Sequence, residues 1–141
     1  MSQLSDIRDG VKTVIEAAIT GLRVYPYEPD GALEYPCLLL ESTGSIEGPK
    51  TLSGNPVWYD LTATLLLEIM DSDEGWREVE KYRSAGGAQS IQAAIRTDST
   101  LNATAGDAYL VSSGQAHRGR SSADSFWEFS AEFTLRIYPE F

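Results

Sequence analysis

The sequence predicts one α+β domain, residues 1–141, in which a mostly antiparallel sheet carries helices packed on one face. Two long stretches, 57–70 and 126–138, alternate apolar and polar side chains, and a period of two is that of a strand with one buried face. Between Leu4 and Leu22 the apolar residues recur at helical spacing instead. No internal repeat and no linker interrupts the chain. The predicted order of elements is α-β-β-β-α-α-β-β.

The first half of the chain supplies one helix and three strands. The opening helix ends near Gly21, a residue suited to the left-handed position that follows a helix. The short strand Arg23–Tyr27 contains Pro26, which places it at a sheet edge or makes it a bulged entry to the sheet. The next strand, Cys37–Ser42, is apolar on both faces, and Gly44–Pro56 is predicted to be a long loop or hairpin arm before the strand Val57–Met70.

The second half begins with a helix whose acidic start, 71–74, suits the positive end of the helix dipole. Ser84–Gly87 breaks that helix, and a third helix follows from Ala88. The remaining predicted elements are a polar link, a strand, a flexible charged hairpin loop and the last strand, at 98–106, 107–113, 114–124 and 126–138.

Composition and charge exclude several classes of protein. The chain has 21 acidic and 11 basic side chains, a formal charge of −10, and this balance argues against non-specific wrapping of a nucleic acid, which needs a basic surface. Cys37 is the only cysteine, so no disulfide forms within the chain, and we expect a small buried apolar side chain there. Charges in Met1–Asp9 and the lack of a long apolar run predict folding in a cytoplasm, away from any membrane.

Three short patterns that resemble functional motifs have simpler explanations. Asp71, Asp73 and Gly75 begin like a calcium loop, but the glycine and the position of the final ligand do not fit, so a helix start is preferred. Gly86-Gly87 precedes a helix without the lysine and hydroxyl residue of a phosphate loop. His117, the only histidine, has no accompanying nucleophile motif and is expected at an exposed loop tip or in a loop that faces a partner or DNA. We therefore expect no catalytic, cofactor-binding or metal-binding residue, and a protein that is not an enzyme.

Two groups of polar residues are candidates for contacts with other molecules. One lies in the two predicted loops, where exposed side chains could meet a neighbouring subunit; its members are Lys50, Asn55, His117, Arg118 and Arg120. The other lies at the polar positions of the two long strands, where carboxylates could share one side of the sheet; its members are Asp60, Glu68, Glu128 and Glu132. Like charges on adjacent strands would be mildly destabilising.

The chain resembles the tail terminator proteins of long-tailed bacteriophages, especially those of actinobacterial phages and prophages. The resemblance lies in short segments that occur in the family's order over nearly the whole chain: Leu4–Gly10, Gly21–Asp30, Gly87–Ile95, Asp98–Leu101 and Ala131–Leu135. The chain departs from the family pattern in 44–56 and in 115–124.

This resemblance implies a structural virion protein: a homo-oligomeric ring, commonly six-fold, that caps the tail tube and joins it to the head connector. Its partners would be the tail tube protein and the head-side connector or stopper protein, and DNA would pass through the lumen without specific binding. The protein would be assembled in the host cytoplasm and located in the virion. The alternatives are another head–tail joining ring protein, a tube subunit or, more distantly, a small-ligand-binding α+β domain.

Overall fold

The computed structural model describes residues 4–41, 46–47, 57–120 and 126–139. Its helices are α1 (Leu4–Ala18), α2 (Ser72–Arg83) and α3 (Ile91–Thr97). Its strands are β1 (Arg23–Tyr25), β2 (Cys37–Leu40), β3 (Ile46–Glu47), β4 (Tyr59–Ile69), β5 (Ala105–Arg120) and β6 (Trp127–Pro139). The predicted α+β class and order of elements are confirmed, with the two-residue β3 added inside the segment predicted to be a loop or hairpin arm.

The strands form one sheet in the order β1-β2-β4-β6-β5, and β3 pairs with β4 beside this path. β1 and β2 are parallel, whereas the other neighbours along the path are antiparallel. β4 and β6 pair without interruption from Tyr59 opposite Ile137 to Ile69 opposite Trp127. The short strand β1 lies at one edge of the sheet, as Pro26 predicts.

The odd-numbered residues of β4 and β6 face the helices and form the centre of the core. Leu65 and Phe133, one on each strand, are 0% and 1% exposed. Their even-numbered neighbours lie on the opposite side, since successive side chains of a strand alternate between faces. We call that opposite side the open face.

Helix α1 packs against the turn before β5 through a glycine. A Cβ atom at Gly10 would collide with the carbonyl oxygen of Leu101, so only glycine allows this approach. Leu101 is buried and, with Asn102 and Ala103, has a positive φ angle, which is an unusual conformation for residues with side chains. Gly21, beyond the end of α1, has φ of 88°, as the sequence predicts.

Helix α2 begins at an aspartate cap. The Asp71 carboxylate accepts hydrogen bonds from the backbone N–H groups of Asp73 (2.9 Å) and Glu74 (3.4 Å). Gly75 lies against the ring of Phe129, where a Cβ atom would collide. The cap and this packing account for Asp71, Asp73 and Gly75, the three residues that resemble the start of a calcium loop.

The C-terminal hairpin differs from the sequence prediction. β5 continues to Arg120, so the predicted loop is wrong over residues 114–120, while 121–125 lie outside the described residues. The polar composition of 114–120 suits a strand at the sheet edge, and β6 pairs with residues 116–120. Three register irregularities between Ala105 and Ala116 absorb extra residues of β5, which is the usual effect of a β-bulge.

Candidate interface surfaces of the sheet

The structure brings the four predicted acidic residues onto the open face. Asp60 and Glu68 are even-numbered residues of β4, and Glu128 and Glu132 are even-numbered residues of β6, the adjacent strand. Glu68 lies directly opposite Glu128, the like-charge neighbours that the sequence predicts, and Glu132 is exposed opposite Thr64. This part of the open face is therefore mainly anionic.

Asp60 is paired with a cation across the strands. The Arg136 guanidinium donates to both Asp60 carboxylate oxygens, at 2.9 and 3.0 Å. These hydrogen bonds raise the pKa of Arg136 above its usual range. The two residues are opposite each other on β4 and β6, so the pairing register creates the ion pair.

An aromatic cluster surrounds this ion pair, and the sequence analysis missed it. The Arg136 guanidinium lies 4.6 Å from the centre of the Trp58 ring. Tyr138 lies 6.2 Å from Trp58 and 6.1 Å from Tyr109, ring centre to ring centre. Trp58, Arg136 and Tyr138 all occupy even-numbered positions, and this spacing predicts that they share one face of the sheet. That they contact one another and Tyr109 depends on the pairing register of β4, β6 and β5.

Tyr35 connects the segment before β2 to the acidic pair. Its hydroxyl donates a 2.8 Å hydrogen bond to Glu128. Burial, together with this hydrogen bond and the nearby charges of Glu128 and Glu68, raises the pKa of Tyr35 to about 12. Cys37, two residues later, is fully buried as predicted, and burial beside Glu128 raises its pKa to about 11. A thiol held protonated in this way is a packing residue rather than a nucleophile.

The predicted interface loops need correction, because the basic residues of the second loop lie on a strand. His117 is opposite Ser130 and therefore on the open face, whereas Arg118 is opposite Phe129 and on the helix side. Arg118 donates a hydrogen bond to the Ser72 hydroxyl, and its guanidinium lies 4.1 Å from the centre of the Trp127 ring. Arg120 pairs with Trp127 at the end of β5. Lys50 and Asn55 lie outside the described residues.

The two edges of the sheet are chemically different. At the β1 edge, the backbone N–H of Val24 donates to Glu16 (2.9 Å) and its carbonyl accepts from Lys12 (3.1 Å), two side chains of α1. These contacts occupy the main-chain groups to which another strand would bind. At the other edge, no strand of the described chain pairs with the outer side of β5.

An acidic segment covers the open face near the β1 edge. Residues 26–36 connect β1 to its parallel neighbour β2. Glu34 is paired with Arg23 at 2.8 Å, and its backbone N–H donates to the Tyr25 hydroxyl. Glu28 and Asp30 in the same segment are exposed. We call 26–34 the acidic crossover.

A cavity near the β1 edge has a mainly polar lining. This cavity, about 450 Å³, is lined by Glu16, Gly21, Leu22, Arg23, Glu34, Tyr35 and Pro36. Its charged groups already bind one another or the backbone, as described for Glu16 and Glu34. Small-ligand sites are instead mostly apolar, with a few convergent polar groups.

Across 4–41, 46–47, 57–120 and 126–139, no group of three or more histidine, cysteine, aspartate or glutamate side chains is placed to hold a metal ion. Within the same ranges, no helix has the length and apolar character needed to span a bilayer.

No protein-family model matches the chain, and no curated protein matches it.

Proposed function

We propose that this chain is a tail terminator, a structural virion subunit that forms a ring on the tail tube, ends tube polymerisation and joins the tail to the head connector. The observation that carries the proposal is the family resemblance of five segments, which occur in the family's order from Leu4 to Leu135. In this proposal the partners are further copies of the chain, the tail tube protein and the head-side connector or stopper protein. Assembly takes place in the host cytoplasm, and the product is located at the head-proximal end of the tail.

The unlike edges of the sheet support a ring. A contact between two different surfaces of the same chain repeats from copy to copy and either closes into a ring or continues as a filament. The β1 edge is occupied by Lys12 and Glu16, whereas the outer side of β5 carries no described strand. Two such different ends favour head-to-tail contacts over pairing of identical edges. The six-fold number comes from the family resemblance alone.

The charge distribution supports passage of DNA without binding. Glu68, Glu128 and Glu132 lie together on the open face of a chain with a formal charge of −10. Phosphate groups are repelled by such a surface, and the basic footprint of a DNA-binding protein is missing from the composition. If the open face borders the lumen of the ring, DNA would slide past it.

Deletion of the gene from its phage tests the proposal. A missing terminator should leave filled heads without attached tails, together with tubes of uncontrolled length. Tails of normal length that fail only in adsorption would place the protein elsewhere in the virion. Complete absence of tubes would identify a tube or baseplate component.

The position of the chain in the virion distinguishes the terminator from the tube alternative. An image reconstruction should contain a single ring of this chain between tube and connector. Many stacked rings of the same chain would identify a tube subunit instead. A single ring on the head side of a separate terminator would identify another head–tail joining protein.

A further inference from the structure

We infer that copies of this chain dock head to tail through opposite charges at the two ends of the sheet. The basic end of β5, 116–120, would meet the acidic crossover, 26–34, of the next copy. This inference rests on the proposed ring and assigns the surfaces that form its subunit contact.

The strands next to which these two segments lie are at opposite edges of the sheet. The acidic crossover follows β1, the first strand in the sheet order β1-β2-β4-β6-β5, and the basic end belongs to the last. Four strand spacings of about 4.8 Å separate the two edge strands, roughly 19 Å in total. Surfaces at opposite ends of one layer can bind each other only between copies, and the contact then repeats around a ring.

The basic end is positively charged, and none of its described contacts is with a carboxylate. Most other described cations pair within the chain, as Arg77 does with Asp73 and Arg83 with Glu80. Arg118 is exposed, and its described contacts are the Trp127 ring and the Ser72 hydroxyl. His117 beside it is exposed on the open face.

The acidic crossover offers the complementary charge. Glu28 and Asp30 are exposed, and Glu34 keeps 69% of its side-chain surface accessible while it is paired with Arg23. Tyr27 is 46% exposed in the same segment and adds aromatic surface beside these carboxylates, while the Arg8 guanidinium of the same copy lies over its ring. Aromatic and arginine side chains are enriched where proteins bind each other.

Two alternatives for the β5 edge fit less well. A continuous sheet from β5 of one copy to β1 of the next is blocked, because Lys12 and Glu16 occupy the outer backbone groups of Val24. Antiparallel pairing of two basic ends centred on Arg118 would place that arginine opposite itself, and like charges on facing strands are destabilising. A side-chain contact with a carboxylate-rich surface avoids both problems.

Charge reversal on each side, and on both together, tests the contact. The purified wild-type chain should self-associate in sedimentation experiments at low salt, and added salt should weaken the association. Arg118→Glu should raise the dissociation constant about tenfold or more, and Glu28→Lys with Asp30→Lys should do the same. The combined variant restores opposite charges and should return to within about threefold of the wild type.

Matched controls separate the contact from folding. Arg96→Glu reverses another exposed cation, whose described hydrogen bond goes to the Ala85 carbonyl, and should leave self-association unchanged. Thermal unfolding should confirm that the Arg118 variant remains folded after it loses the contact with Trp127. A neutral Arg118→Gln variant should lie between wild type and Arg118→Glu.

Several outcomes would overturn the inference. A wild-type chain that stays monomeric at its highest soluble concentration would do so, as would a ring unaffected by either charge reversal. Equal weakening by Arg96→Glu would indicate a general charge effect and no specific contact. The phenotype of the gene deletion does not depend on any of these three results. If the deletion gives the phenotype expected of a terminator but the charge reversals leave the ring unchanged, only this inference is rejected.

Discussion

Arg8 is the largest fully buried side chain of the described residues, and it links three parts of the fold. Its guanidinium donates to the backbone carbonyls of Pro26 (2.9 Å) and Glu41 (2.7 Å) and lies over the Tyr27 ring. Burial lowers the pKa of Arg8, and the nearby Tyr27 partly opposes that change. Because Arg8 holds the start of the acidic crossover and the end of β2, it fixes the position of one proposed interface relative to the sheet.

Gly10 gives a prediction at the scale of one residue. Replacement of glycine by alanine inside a helix usually stabilises a protein by about 0.5–1 kcal/mol. Here the added Cβ would collide with the Leu101 carbonyl, a backbone atom that cannot rotate away. We expect Gly10→Ala to lower the free energy of unfolding, by about 1–3 kcal/mol as in other overpacked sites.

Urea unfolding of the wild type and of Gly10→Ala measures the difference in their free energies of unfolding. Gly86→Ala is the matched control, because no atom lies within 4 Å of the position its Cβ would take. A Gly10→Ala variant more stable than the wild type would contradict the prediction, because α1 would then move away from the turn around Leu101 at little cost in free energy.

At the scale of elements, α1 protects the edge strand β1. The Glu16 carboxylate accepts hydrogen bonds from the Val24 N–H and from Lys12. A helix side chain therefore provides the hydrogen-bond acceptor that a neighbouring strand would otherwise provide. Burial raises the pKa of Glu16, but the hydrogen bonds from Val24 and Lys12 outweigh burial, and the pKa lies below its usual value of 4.5. A carboxylate with a lowered pKa in the folded state stabilises the fold above its unfolded pKa and loses that effect as the pH falls through the folded value.

Glu16→Gln should therefore reduce stability near pH 7 and reduce it less in acid. The difference in free energy of unfolding between wild type and variant should shrink as the pH falls from about 6 to about 3. Lys12→Met, which keeps the Val24 hydrogen bond, should retain part of this pH dependence. A wild type and a Glu16→Gln variant with parallel pH profiles would contradict the proposed role of Glu16.

At the scale of the whole molecule, net charge should govern behaviour toward DNA. With a formal charge of −10 and an anionic open face, the purified protein should not retard duplex DNA in a gel shift, even at low salt where electrostatic attraction is strongest. A basic protein of similar size serves as the positive control. Retardation that disappears with added salt would reveal a basic surface and would contradict free passage of DNA.

Alternation along the chain determined the long strands and their buried faces. Leu65 and Phe133 lie in the core because the apolar side chains recur every second residue and one face of the sheet must exclude water. The acidic residues Glu68, Glu128 and Glu132 share a face for the same reason. The Asp71 cap could also be predicted, because an aspartate before a helix satisfies free backbone N–H groups.

The sequence could not determine the extent of β5 or the partners of its charged residues. Residues 114–120 contain two glycines, two arginines and no large apolar side chain, a composition typical of a loop, and pairing with β6 makes them a strand. The contact of Arg8 with Glu41 and the pairing of Asp60 with Arg136 join residues far apart in the chain. The blocked β1 edge depends on how α1 packs beside that strand. Local patterns fix which way a side chain points within its own element, whereas strand order and register decide which distant group it meets.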